Sequence, residues 1–283
     1  MIRPVRSYNW SDGKSLTIGK ETLIMGIVNI TPDSFSDGGK WNDLDSALRH
    51  AEALVEDGAH IIDIGAESSR PGCTPISEKE EIERLLPILE RIVKEIPIPI
   101  SVDTFKAATA EMAIKAGVHI INDIWGLQYV TEPGQMAAVA ANYNIPIVAM
   151  HNQKGSAYNT DLIWAVEQFF AETIKIAATA GINPNNIILD PGIGFGKTAE
   201  QNRVIIRRLE ELTRLPYPML IGTSRKGFIG SALNLPITER MEGTAATCLI
   251  SQLKGCDIMR VHDVKPIARM CRMTDYIVRE YHG

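Results

Sequence analysis

The stretch that decides the reading of this chain is Met25-Gly26-Ile27-Val28-Asn29-Ile30-Thr31-Pro32-Asp33-Ser34-Phe35-Ser36-Asp37-Gly38-Gly39. It opens as the short apolar run of a buried strand, turns polar at Asn29, and closes on two glycines after Pro32 and a Ser/Asp stretch. In α/β proteins, a buried strand that ends in a polar loop is where function is usually placed. The loop's acids, hydroxyls and single phenylalanine suit a cover over a charged, partly aromatic ligand. Taken alone it is equally an ordinary βα connection, so the weight falls on what surrounds it.

Seven further apolar runs come after it. Together with Leu23–Asn29 they predict strands at His60–Ile64, Ile98–Asp103, His119–Asn122, Ile145–Met150, Ile187–Asp190, Met219–Gly222 and Asp257–Val261. They are rich in Ile, Val and Leu without clean alternation, as parallel strands buried on both faces should be. Amphipathic helices lie between them. Leu44, Ala47, Leu48, Ala51 and Leu54 share one face, with Gly58 as a stop signal. Ser77 with Glu80 is a capping-box pattern that opens a helix burying Ile82, Leu85, Leu86, Leu89 and Val93. Gly58-Ala59-His60-Ile61-Ile62-Asp63 is echoed by Gly117-Val118-His119-Ile120-Ile121-Asn122.

Eight β/α units without a linker or a composition break predict a (β/α)8 TIM barrel, an α/β fold with one catalytic domain over residues 23–283. Residues 1–22 are an N-terminal extension expected to plug or flank the barrel bottom. The competing open, doubly wound sheet usually has fewer strands and a phosphate-binding glycine turn near its start.

The chain's 283 residues suit such a barrel, which commonly runs to about 250. With 45% hydrophobic and 22% charged residues, a large core is expected and global disorder is not. A net charge of -5 speaks against a nucleic-acid partner. Cys73, Cys248, Cys256 and Cys271 lack CxxC spacing, so neither a structural zinc site nor a disulfide framework is expected. There is no signal-peptide core and no bilayer-length apolar stretch, which predicts a soluble cytoplasmic protein without a membrane partner.

The chemistry sits in the residues at the strand ends. In chain order they are Asn29; Glu67, Ser69 and Arg70; Asp103; Asn122 and Asp123; His151; Asp190; Ser224, Arg225 and Lys226; and Arg260, His262 and Asp263. In a barrel all eight ends converge on one face, the catalytic one. Any single one of these is as well explained as a helix cap or a satisfied structural group; eight in succession favour a shared site. Asp103, Asn122 and Asp190 offer acceptors to a flat heterocycle with ring N–H and amino groups, since buried carboxylates need donors. Asn29, Arg260 and His262 form an anion-binding set on neighbouring first and last strands, suited to a diphosphate, with Asn29 able to hold a phosphate-bound divalent ion. Asp263 is read as orienting His262.

One motif misleads. Gly192-Ile193-Gly194-Phe195-Gly196-Lys197-Thr198 looks like a P-loop but is one residue short of the Walker spacing. Its glycines are expected instead to let backbone pass close to a ligand held by Asp190.

These motifs, in this order, resemble those of the dihydropteroate synthases. The resemblance runs from about Thr22 to the C-terminus. It is carried by Met25–Asn29 with Thr31–Gly39, Glu67-Ser68-Ser69-Arg70-Pro71-Gly72, Ser101-Val102-Asp103-Thr104, Ile121-Asn122-Asp123, Asp190–Lys197, Ser224-Arg225-Lys226 and Arg260-Val261-His262-Asp263. It implies a transferase of folate biosynthesis that joins 6-hydroxymethyl-7,8-dihydropterin diphosphate to p-aminobenzoate, with release of pyrophosphate. By position, it implies pterin contacts from Asp103, Asn122, Met150, Asp190, Lys226 and Arg260. It implies diphosphate contacts from Asn29, Arg260 and His262, with Mg2+ held at Asn29. It also implies a p-aminobenzoate pocket of Phe35, Ser69, Arg70, Pro71, Phe195 and Gly227, and Asp37, Arg70, Asp103 and Lys226 as catalytic residues. The family further implies a homodimer through the last helices, with Met270, Met273 and Ile277 exposed.

The chain departs from the family pattern in places. Ala66 stands where a second glycine is common, Ser69 where threonine is usual, Asn152 varies after His151, and Gly227 follows Lys226 where a serine often meets the substrate carboxylate. A backbone N–H would serve at Gly227. No insertion lies beside Pro71, so sulfonamide sensitivity is expected, and Arg260→Ala is expected to weaken diphosphate binding with little effect on stability. A corrinoid-linked methyltetrahydrofolate methyltransferase shares the pterin barrel, but the Thr31–Gly39 loop and the Arg260/His262 set tell against it. A non-catalytic pterin-binding homologue is the third reading, against which Asp37, Arg70 and Lys226 argue.

Overall fold

The computed structural model describes residues 5–30, 39–67 and 76–278. The chain opens with an antiparallel hairpin, β1 (Arg6–Asn9) and β2 (Ser15–Ile18). Eight parallel strands come next among the described residues: β3 (Leu23–Asn29), β4 (Ile61–Gly65), β5 (Ile100–Asp103), β6 (Ile120–Asp123), β7 (Ile147–Met150), β8 (Ile187–Asp190), β9 (Leu220–Ile221) and β10 (Ile258–Val261). Their order is β8-β7-β6-β5-β4-β3-β10-β9, and a parallel bridge from Leu189 to Met219 joins β8 to the start of β9. The sheet is thereby closed into the expected (β/α)8 barrel.

The helices are α1 (Gly39–Glu56), α2 (Glu78–Glu95), α3 (Ala107–Lys115), α4 (Gln135–Asn142), α5 (Leu162–Ala180), α6 (Ala199–Arg207), α7 (Leu209–Leu212), α8 (Gly227–Leu233), α9 (Met241–Leu253) and α10 (Val264–Val278). No helix of the described residues is long and apolar enough to cross a membrane.

Period-two alternation divides each strand between two cores. Ile24, Val28, Ile62, Ile64, Ile100, Val102, Ile121, Ile147, Leu189 and Met259 pack with the helices in the outer one. Leu23, Met25, Ile61, Ile120, Val148, Ile188, Leu220 and Ile258 fill the barrel's lower interior. Two residues further along four of these strands the interior becomes polar: Asp63 after Ile61, Asn122 after Ile120, Asp190 after Ile188, and Arg260 after Ile258. This change of polarity part-way up the barrel is what creates a site.

Residues of the hairpin join the lower core. Leu16 and Ile18 are buried in it, with Tyr8 and Trp10 packed against it. Buried Arg6 holds the hairpin down by donating to the carbonyls of Ile187 at 2.9 Å and Pro216 at 2.8 Å. The hairpin form of this segment is not foreseen in the sequence reading.

The repeated Gly-x-His has a physical purpose. His60 and His119 each precede a strand, and each Nδ1 accepts a backbone N–H of the neighbouring strand, Ile24 at 3.0 Å and Ile100 at 3.1 Å. Each bond adds about 1 kcal/mol and pins the strand's register.

Helix α2 starts as expected: the Ser77 hydroxyl accepts the Glu80 N–H at 3.2 Å. Its buried face is not the expected one. Glu81, Leu85, Ile88, Leu89 and Ile92 are buried, while Ile82, Leu86 and Val93 are only half-buried. The helix is turned so that Glu81 reaches a buried cation, Lys106.

Candidate active site

The parallel strands bring their C-terminal ends to one mouth, where the polar layer is cross-linked through the interior. Nε of Arg260 donates to Oδ2 of Asp63 and its Nη2 to Oδ2 of Asp103, both at 2.6 Å. Asn122 Nδ2 donates to the same Asp63 oxygen at 3.1 Å. Since β4 touches neither β6 nor β10, these bonds must cross the barrel interior. Asp63 is wholly buried beside Ser101, two residues below Asp103 on the neighbouring strand. Its other oxygen, Oδ1, and the Ser101 hydroxyl have no hydrogen-bond partner.

Burial pushes Asp103 up to about 7, against the opposing pull of Arg260. Burial also raises Asp190, although its Oδ1 accepts the Gly192 N–H at 2.7 Å. It draws the Lys226 ammonium down to about 8, with Asp190 resisting. Burial opposes the charge on Arg260 too, but Asp63 and Asp103 more than offset it and raise its pKa further. The mouth therefore sets acceptors (Asp103, Asp190 and the Asn122 carbonyl) opposite donors (Lys226 and Arg260), as a heterocycle with both kinds of edge requires.

Lys226 also donates to the Ile193 carbonyl and lies 4.4 Å from the centre of the Phe195 ring. Phe195 packs on a small cluster of Met150, Phe105 and Ile124, joined by Trp125 and Tyr129. An apolar wall thus begins at Met150 and leads toward Phe195.

The glycine-rich loop after β8 is structural. Lys197 Nζ contacts His151 Nδ1 at 2.8 Å and the carbonyls of Gly192 and Phe195 at 3.0 Å. Gly192 has φ +67, and a Cβ there would lie 1.9 Å from the His151 carbonyl oxygen; at Gly196 it would lie 2.6 Å from Gln153 backbone. At Gly192 and Gly196 the missing side chain makes room for the protein's own backbone.

Other strand-end groups also hold the scaffold. Asp123 accepts the N–H groups of Trp125 at 2.8 Å and Leu127 at 2.7 Å. Asp263 does not serve as the expected partner of His262. Its two oxygens take Arg225 at 2.9 and 2.5 Å, while His262 Nδ1 meets the Ser224 hydroxyl at 2.9 Å. Arg225 adopts a left-handed backbone (φ 56), held further by Thr244 Oγ1 on its N–H and Arg240 on its carbonyl.

With this geometry in view, residues 25–262 match the family described as pterin binding enzyme. A dihydropteroate synthase of Bacillus subtilis (strain 168) is 54% identical over 272 residues, which cover 95% of this chain and 94% of that one. The chain belongs to the dihydropteroate synthase family of pterin-binding enzymes. Two solved dihydropteroate synthases share its fold closely. That of Clostridium difficile, determined in the presence of pteroic acid, has a TM-score of 0.90 and 47% identity, covering 93% of this chain and 99% of its own. That of Xanthomonas albilineans with 4-aminobenzoic acid has a TM-score of 0.90 and 35% identity, covering 98% and 99%.

Of the residues that the dihydropteroate synthase resemblance nominates, Asp103, Asn122, Met150, Asp190, Phe195, Lys226 and Arg260 meet at the mouth. Asn29 ends β3, exposed, and β3 neighbours β10, the strand that leads to His262. Gly227 opens α8, where a Cβ would meet open space. Phe35, Asp37, Ser69, Arg70 and Pro71 lie outside the described residues. Asp63 is the member that strand-end reading passes over. Its signal was a carboxylate inside Ile61-Ile62-Asp63-Ile64, where only a buried partner makes a charge tolerable.

No group of three or more His, Cys, Asp or Glu side chains among the described residues could hold a metal. Asn29 brings one amide oxygen. That suits a Mg2+ that keeps its waters and takes its remaining ligands from phosphate, not one caged by protein.

Proposed function

We propose that this chain condenses 6-hydroxymethyl-7,8-dihydropterin diphosphate with p-aminobenzoate to give 7,8-dihydropteroate and pyrophosphate in folate biosynthesis. The observation that carries the reading is the cross-braced polar layer of Asp63, Asp103, Asn122, Asp190, Lys226 and Arg260 over an apolar barrel floor. In this reading Asp103 and Asp190 accept the pterin's N–H and amino donors, and Lys226 donates to its oxygen and nitrogen acceptors. Asn122 has its amide nitrogen committed to Asp63, so its carbonyl oxygen is presented to the ring.

Two nitrogens of Arg260 are held by carboxylates, and Nη1 makes no hydrogen bond to the described residues. We assign Nη1, His262 and Asn29 to the diphosphate. Arg260 is therefore a bridge between ring and phosphate, in keeping with the resemblance, which nominates it for both. Mg2+, when bound, would neutralise charge that builds on the diphosphate oxygens.

The carbon–oxygen bond between the pterin's methylene and the diphosphate breaks, and its electron pair leaves with pyrophosphate. The cationic side chains stabilise that departure. The buried carboxylates below favour the positive charge left on the pterin methylene. The amine nitrogen of p-aminobenzoate, seated by Phe195 and by Phe35, Ser69, Arg70, Pro71 and Gly227, bonds to that carbon and gives up a proton. Asp37 and Arg70 are assigned to shielding the cation from water.

We place the enzyme in the cytoplasm, with residues 23–283 as its catalytic unit, and infer a homodimer through the last helices. Exposed Met273, Tyr276 and Ile277 on α10 and Leu253 on α9 support this surface. Met270, expected to join them, is half-buried against the core. Transfer of radiolabel from p-aminobenzoate into dihydropteroate, dependent on dihydropterin diphosphate, tests the reaction; no transfer with both substrates and Mg2+ present would refute it.

A further inference from the structure

Beside the mouth, one side chain that the proposed mechanism does not use holds together the loop between β8 and α6. Lys197 stands immediately before Thr198, the N-cap of α6, whose place is fixed by a capping box with Gln201. From that fixed end the lysine side chain folds back over the loop. Its nitrogen meets the Gly192 and Phe195 carbonyls, both at 3.0 Å, and Nδ1 of His151 at 2.8 Å. Three acceptors match the three N–H groups of an ammonium. Burial draws Lys197 down to about 7, against the pull of Asp190. In the amine form the two carbonyls still keep their donors, because the neutral His151 ring can give the third bond instead of taking it.

The two halves of the loop are held differently. The half nearest β8 has anchors of its own: Asp190 accepts the Gly192 N–H at 2.7 Å, and the Ile193 side chain is buried in the outer core. Phe195 stands in the other half, itself only half-buried, with its ring 4.4 Å from the Lys226 nitrogen. Its N–H closes a turn on the Gly192 carbonyl at 3.1 Å, and its own carbonyl is held by Lys197. Both peptide groups of Phe195 are thereby tied, directly or through Gly192, to one nitrogen. That fixes the direction in which the ring leaves the backbone.

We propose that Lys197 is a positioning residue for the arylamine substrate: it holds the outer half of the β8–α6 loop so that the Phe195 ring faces that substrate beside Lys226. The role rests on the assignment of Phe195 to p-aminobenzoate. An apolar side chain at position 197 takes this donor from the Phe195 carbonyl, and the loop must turn to offer that carbonyl to water. Phe195 turns with it, while Asp190 within β8, and Asn122 and Lys226 on other elements, keep their places. A lysine that served stability alone would alter both substrates alike or neither.

The test is steady-state kinetics on the full chain, with each substrate varied in turn, for wild type, Lys197→Met, Lys197→Gln and Phe195→Ala. Lys197→Met is expected to raise the KM for p-aminobenzoate about tenfold and to leave that for dihydropterin diphosphate within about twofold. Lys197→Gln keeps two N–H groups on a shorter stem and is expected to raise the same KM about threefold. An unchanged KM for p-aminobenzoate in Lys197→Met, or equal changes in both KM values, overturns the role. If Lys197→Met does not fold, Lys197→Gln decides by the same comparison. Phe195→Ala separates this role from the reading beneath it. A wild-type KM for p-aminobenzoate in Phe195→Ala overturns the assignment of Phe195 and this role together; a raised one, with both Lys197 variants unaltered, overturns this role alone.

Discussion

Arg260 on the last barrel strand donates through Nε to Asp63 on the second, 2.6 Å away across the interior, and Asp63 is completely buried. A guanidinium in this position balances two buried carboxylates, Asp63 and Asp103, besides any part it takes in binding. Arg260→Ala leaves both without their cation. The unfolding free energy is expected to fall by about 3 kcal/mol, together with a severe loss of diphosphate affinity. Urea denaturation reads the first and calorimetry the second. This replaces the expectation from sequence of near-unchanged stability, and an unaltered urea midpoint would reinstate that expectation.

Asp190 keeps one oxygen on the Gly192 N–H and has one left for a ligand. In Asp190→Asn the carbonyl can still accept from Gly192, which turns the amide nitrogen toward a ligand donor. The Kd of a pterin analogue should rise about thirtyfold, as for a buried hydrogen bond replaced by a donor-donor contact. Titration calorimetry giving the wild-type Kd would remove Asp190 from the pterin site.

A pH dependence arises from His151. Burial, with the Lys197 charge second, draws it down to about 2. The folded chain therefore leaves this ring neutral over a range in which the unfolded chain, at an ordinary pKa of about 6.5, takes up a proton. Where the unfolded state binds more protons, stability rises with pH. The contribution is complete above the unfolded value and is lost as pH falls toward the folded one. From about pH 7.5 to about pH 5.5 the loss is about 1.4 kcal/mol. His151→Gln should flatten the profile by that amount in urea melts at the two pH values. Parallel profiles for the two proteins would show that His151 is not the group responsible.

Sulfonamides offer a test of the arylamine pocket. With p-aminobenzoate limiting, saturating sulfamethoxazole should suppress dihydropteroate formation, and added p-aminobenzoate should restore it. Activity unchanged by the drug would mean that the pocket differs from the one inferred.

How legible these features were in the sequence depends on how local their causes are. The eight strands could be read because apolar β-rich runs and the glycines after helices are decided within a few residues. The Ser77 cap was legible for the same reason. The face of α2 was not, because Glu81 turns inward to meet Lys106, twenty-five positions away and visible only once the chain has folded. Asp103, Asn122 and Asp190 stand at strand ends, where a polar residue draws notice. Asp63 performs comparable work from inside a strand, disguised as one polar residue in an apolar run, and its partners come from β6 and β10. The same distance effect misassigned Asp263: its neighbour in sequence is His262, yet its carboxylate pairs with Arg225, thirty-eight positions away.

The central claim, that a pterin-binding layer and an anion site act on one substrate, is tested most directly by pyrophosphate release. The purified chain is incubated with Mg2+ and 6-hydroxymethyl-7,8-dihydropterin diphosphate, with and without p-aminobenzoate. The account predicts steady release, stoichiometric with dihydropteroate, when the amine is present. No pyrophosphate from the complete mixture, or release with no dihydropteroate formed, would contradict it.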